Sequence, residues 1–183
     1  NVSMESIAME FDPLIPNWYV LHTKSRFENV VYDGLVRKNV DVFLPKIKVR
    51  SRRRDRRVMI NVPLFPGYVF VKTDLNPNHH LDILKTAGAV RLIGTKGGPV
   101  PVEETTVESL KIMISSETAV TAGSRLKKGD RVVVVSGPLT GVIGTFVRYR
   151  GKERVIVNVE ALGQHAGVDV DEKDVERVPD ILA

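Results

Sequence analysis

The sequence predicts an α+β fold in two parts, an antiparallel sheet flanked by helices followed by a small SH3-like β-barrel. Three observations predict it. From residue 17 to 115, short apolar runs alternate with segments of helical periodicity, joined by hairpin-length links that favour antiparallel pairing. From 115 to 127 the pattern dissolves into Ser, Thr, Ala and Gly. Beyond that, valine-rich runs recur between glycine-containing turns, the rhythm of a small barrel. The expected organisation is a flexible extension over 1–16, a first domain over 17–115, a linker over 116–127 and a barrel over 128–180.

Each element has a local reason. Trp18 to Leu21 is a short apolar strand. Ser25-x-x-Glu28 has the form of a capping box, and Phe27, Val30, Val31 and Leu35 follow on one helical face. Lys38 and Asn39 suit the end of that helix. Val40 to Val49 reads as a strand, then Val58 to Val62 and Tyr68 to Lys72. Asn76 to Thr86 is helical, Ala89 to Ile93 extended, and Gly97-Gly98-Pro99 a turn. Pro101 to Ile114 is a helix with Glu103 and Glu104 in an acidic first turn and Val107, Leu110 and Ile114 inward. The linker, taken as a coil of about 12 residues, would span roughly 20 Å. The barrel strands are Arg131 to Val135, Val142 to Val147, Arg154 to Val159, Val168 to Val170 and Val175 to Val178.

With 43% hydrophobic and 27% charged residues among 183, the chain is expected to be globular and cytoplasmic. It shows no apolar run of membrane-spanning length and no signal-peptide pattern. The absence of cysteine excludes disulfides, thiolate catalysis and cysteine-ligated zinc. The net charge of +5 is concentrated: residues 46–57 hold eight Lys and Arg against the single Asp55, so the remainder is net acidic. Arg52, Arg53 and Arg54 head that run, which contains no aromatic residue, so phosphate contact is expected there rather than base stacking.

The segment Pro63-Leu64-Phe65-Pro66-Gly67-Tyr68-Val69-Phe70-Val71 stands apart. Pro66-Gly67 fits the centre of a type II turn, proline presetting φ and glycine accepting a positive one. Alternation after the turn puts Tyr68, Phe70 and Lys72 on one face of a strand and Val69 and Val71 on the other. Phe65 enters from the corner, so three rings can meet in one patch.

Four segments in order make the chain resemble the NusG family of transcription factors: Trp18-Tyr19-Val20, the segment from Pro63 to Val71, Gly88 to Gly94 followed by Pro99 to Val102, and Gly129 to Val132 with Gly137 to Gly141, which is similar to a KOW motif. The resemblance implies an NGN-like domain that docks on the clamp helices of RNA polymerase's largest subunit, through Phe65, Pro66, Tyr68, Phe70 and His22. It implies that Lys24 and Arg26 approach the non-template DNA strand, and that His79 and His80 lie near the segment reaching across the cleft. It implies a KOW barrel that recruits a small-subunit ribosomal protein or the termination factor Rho, through Leu139, Leu162 and Gly163. The family's general members carry phenylalanine where Leu162 stands and usually arginine where Gln164 stands. The N-terminal extension, the arginine-rich loop and Leu162 lean toward a specialised paralogue over a general elongation and termination factor. Valine density and glycines oppose refolding of the barrel as a helical hairpin.

Other classes fare worse. Four histidines and 22 acids form no nucleophile motif, metal-ligand spacing or phosphate loop, so no enzyme, cofactor or metal is expected. A ribosome-associated RNA-binding barrel would be basic, whereas residues 128–183 hold 8 Lys and Arg against 9 Asp and Glu. A monomer with protein partners at its barrel is the expectation.

Overall fold

A computed structural model describes residues 15–53, 58–126 and 128–178. Residues 1–14 of the extension expected over 1–16, and Arg54, therefore lie outside the described residues.

The first half is a four-stranded antiparallel sheet in the order β2-β5-β1-β6, formed by β1 (Asn17–Thr23), β2 (Asp41–Phe43), β5 (Tyr68–Thr73) and β6 (Ala89–Leu92). Helices α1 (Glu28–Arg37) and α2 (Pro77–Leu84) cover one face. There Val31, Leu35 and Ile83 pack with Tyr19, Leu21, Val69 and Val71. Helix α3 (Glu104–Ser115) covers the other, where Val107, Leu110 and Met113 join Trp18, Val20, Phe65 and Phe70. The Lys111 ammonium lies over Trp18 and Phe43, 5.1 and 5.7 Å from their centroids, and Lys72 reaches Glu104 at 3.7 Å. Both sheet faces are thus occupied.

The run from Val40 to Val49 is two strands rather than one. Pro45, which has no N–H to give a ladder, separates β2 from β3 (Lys46–Arg50). Strand β3 pairs only with β4 (Met59–Pro63) among the described residues, as a two-stranded ribbon beside the main sheet. Strands β7 (Gly94–Thr95) and β8 (Gly98–Pro99) close a tight hairpin before α3.

The second half is a six-stranded antiparallel sheet, order β14-β10-β11-β12-β13-β9, built from β9 (Val120–Ser124), β10 (Asp130–Val134), β11 (Ile143–Tyr149), β12 (Lys152–Val159), β13 (Gln164–Asp169) and β14 (Val175–Arg177). The middle of the segment expected as a linker is therefore a strand: Val120 to Ser124 pair with Val168 to Gln164 along the edge of β13. Its polar, small residues conceal this, because the edge strand is held by backbone bonds and buries only Val120.

The two halves share one buried cluster that runs through α3 to Val132, Val142, Val155, Val157 and Val168. Ser109, buried on α3, donates its Oγ–H to the Ile143 carbonyl at 3.3 Å and accepts the Ile143 N–H at 3.0 Å. A Cβ on Gly141 would lie 3.1 Å from Ile112 Cδ1, so the 137–141 turn rests on the same helix.

Candidate functional site

The turn after β4 has the expected geometry. Gly67 has φ 88, and the Tyr68 N–H donates to the Phe65 carbonyl at 3.2 Å, a type II turn with Pro66 and Gly67 at its centre. Strand β5 then runs antiparallel to β1, placing Tyr68 opposite His22 and Phe70 opposite Val20. The rings of His22 and Tyr68 lie 5.3 Å apart, tilted by 30°. The β1–β6 register shifts between His22 and Thr23, a bulge that re-aims side chains at this end of the sheet.

A buried carboxylate holds the corner. Glu28 accepts the Gly67 N–H at 2.8 Å, while the Thr23 N–H donates to the Gly67 carbonyl at 2.8 Å. The capping box expected of Ser25 and Glu28 does not form: the residue capping α1 is Phe27, without a side-chain bond. Arg26 at φ 65 turns the chain sharply there, and Glu28, 6% exposed, reaches across to the turn instead of back to Ser25. The sequence pattern for a cap and for this helix-to-turn tie is the same, so only the fold distinguishes them. Phe27 and Val30, expected on the inward face of α1, are exposed.

The structure divides the aromatic patch. Pro66 is exposed and Tyr68 and His22 half-buried, whereas Phe65 and Phe70 are 1% and 0% exposed. Their centroids are 6.3 Å apart, and Phe43 lies 5.8 Å from Phe70. Phe65 and Phe70 are core beneath the patch, not part of its surface. The physical reason is α3, which covers the strand face that period-2 alternation would leave open.

Lys24 and Arg26 are exposed beside this corner, where the Lys24 N–H donates to the Gly88 carbonyl at 2.8 Å. Arg52 and Arg53 are exposed at the far end of the β3–β4 ribbon, a separate element. His79 is tied to Asp74 at 2.8 Å. Asp74 also accepts the Asn76 N–H at 2.9 Å, and these bonds, the backbone one foremost, hold its carboxyl below the usual range. Burial raises the Tyr19 hydroxyl above its ordinary value. Among the described residues no group of His and acids could hold a metal, and no helix is long and apolar enough to cross a membrane.

In the barrel, Leu139 is 3% exposed and belongs to the core, Leu162 is half-buried, and only Gly163 is exposed. Gly163, at φ 60, ends a 3-10 turn over Glu160–Leu162. That loop is fastened to the end of β9 and the residue that follows it. Glu160 pairs with Arg125 at 2.6 Å, the Arg125 N–H donates to the Gly163 carbonyl at 3.0 Å, and His165 Nδ1 meets the Ser124 carbonyl at 2.6 Å. Sequence reasoning missed Glu28 as a buttress and Ser109 as a tie between the halves. A small polar residue on the apolar stripe of α3 was the available signal for Ser109.

The family model described as "NusG: Transcription termination factor nusG" matches residues 16–111. A Thermus thermophilus protein named transcription termination/antitermination protein NusG is 29% identical over 84% of this chain and 94% of its own length. One of the same name from Rickettsia felis is 22% identical over 96% and 97%. A solved structure described as "Domain interaction in Thermotoga maritima NusG" is 21% identical, covers 91% of this chain and 99% of its own, and superimposes with a TM-score of 0.49.

Proposed function

The chain belongs to the NusG family, and from that premise we propose that it rides on transcribing RNA polymerase, docking at the clamp helices through the corner formed by His22, Pro66 and Tyr68. One observation supports this reading above the others. The three side chains converge at one end of the sheet, on a turn pinned from behind by Glu28, so a half-exposed aromatic pair stands on a rigid base. Aromatic residues so mounted bind at low entropic cost and are the usual interface anchors. Phe65 and Phe70 act by supporting that base from the core.

The mechanism requires no chemistry. A factor that binds the closed clamp more tightly than the open one shifts the population away from paused states. Lys24 and Arg26, beside the same corner, would meet the non-template strand. The barrel would recruit a ribosomal protein or Rho through the 160–165 loop, with Gly163 and the half-buried Leu162 at its surface and Leu139 in its core. The basic ribbon is the feature that favours a specialised member of the family over a general factor.

The test is co-purification with core polymerase. His22→Ala combined with Tyr68→Ala should reduce retention at least tenfold, with circular dichroism unchanged. Undiminished retention of the double variant removes the corner as the docking site.

A further inference from the structure

The β3–β4 ribbon carries chemistry that the docking corner does not use. Its register pairs Lys46 with Pro63, Ile47 with Val62, Lys48 with Asn61, Val49 with Ile60 and Arg50 with Met59. Pairing and alternation together give the ribbon two unlike faces. Ile47, Val49, Ile60 and Val62 lie on one, and Lys46, Lys48, Arg50 and Asn61 on the other, with Pro63 and the exposed Met59 at the two ends of that basic face. The apolar face is anchored at its base, where Ile47 packs against the core cluster. On the opposite face Lys48, Arg50 and Asn61 are exposed, and Arg52 and Arg53 continue beyond the strand. Among the described residues Lys46 alone is engaged, with the Asn29 side chain of α1. Among the described residues no carboxylate pairs with Lys48, Arg50, Arg52 or Arg53.

We propose that this ribbon is a duplex-DNA-binding arm whose basic face follows the phosphate backbone of double-stranded DNA. The inference goes beyond the function proposed above, which gives its nucleic-acid contact to Lys24 and Arg26 and none to the ribbon. Charge selects a polyanion. Spacing then selects an ordered one, because same-face residues on a strand recur about every 6.7 Å. That is close to the separation of successive phosphates on one strand of a helix rising about 3.4 Å per nucleotide. Shape agrees, since two strands roughly 4.8 Å apart fit a major groove about 12 Å wide. The absence of any aromatic residue from Lys46 to Pro63 argues against a single strand, whose sequence-tolerant binding relies on base stacking.

The experiment needs no polymerase, so its outcome is independent of the docking corner. The full chain is titrated into a labelled 24-base-pair DNA duplex, the same sequence as single-stranded DNA, and the matching RNA duplex, followed by anisotropy across a salt series. The expected result is tightest binding to duplex DNA, weakened about tenfold in Lys48→Gln with Arg50→Gln. The log–log salt slope should fall by about two in that variant, one for each phosphate contact removed. Lys85→Gln with Lys96→Gln, equal in charge removed but outside the ribbon, should change neither. Tighter binding to single-stranded DNA or to duplex RNA would overturn the proposal, as would an unchanged slope in the ribbon variant or an equal loss in the control.

Discussion

At the scale of single residues, Phe65 and Tyr68 sit three positions apart and do different work. Phe65 is enclosed beside Phe70, so Phe65→Ala removes a ring from a packed core and should cost about 3–5 kcal/mol. Tyr68 is half-buried at the edge, and Tyr68→Ala should cost about 1 kcal/mol. Urea unfolding of the two single variants checks this contrast, and equal losses would contradict the assignment of Phe65 to the core. The result also governs how binding data are read, because loss of polymerase retention in Phe65→Ala would reflect unfolding. Glu28 shows how far local sequence is legible. Its spacing from Ser25 matches a capping box, yet its carboxylate meets the Gly67 N–H of the turn before β5. No neighbour in sequence announces that partner.

At the scale of elements, legibility followed self-sufficiency. Helix α2 carries its own start signal: Asn76 accepts the Asn78 N–H at 3.0 Å and Pro77 occupies the first turn. Asp74 extends that cap through Asn76 and His79, which lowers its pKa. For a carboxyl lowered on folding, the stabilisation is complete above the unfolded value, about 3.9, and is lost as pH falls through the folded one. An NMR titration should place the Asp74 midpoint below that of a free aspartate, and Asp74→Asn should abolish the acid-side loss at α2 amides. A midpoint at or above the free value contradicts the cap. The ribbon was legible as two strands and a basic run, but its two faces depend on register, which hydrogen bonding between strands decides. Strand β9 was missed because an edge strand can be held by its backbone with almost no apolar pattern.

At the scale of the whole molecule, α3 is shared. One side packs on the sheet through Leu110 and Met113, and Ser109 exchanges two hydrogen bonds with Ile143 of the barrel. A continuous core predicts one cooperative transition. Fluorescence of Trp18, the single tryptophan, should lose its native signal together with exchange protection at Val157 in the barrel. Ser109→Ala should lower stability by about 1–2 kcal/mol by leaving Ile143 polar groups unpaired. Separate midpoints for the two probes in the unaltered chain would show that the halves unfold independently.

The amino-acid sequence by itself determined the two-part α+β class, the type II turn at Pro66-Gly67, most strand positions and the concentration of positive charge, because each is a local property of backbone preference, periodicity or composition. Only the tertiary structure decided which aromatic residues reach the surface and that the segment from Val120 to Ser124 completes the barrel sheet. The reason is geometric. Alternation assigns a residue to one of two faces, but whether a face meets solvent depends on what packs against it. In this protein α1 and α2 cover one face and α3 covers the other, leaving Tyr68 and His22 half-exposed and Pro66 exposed at the open end of the sheet.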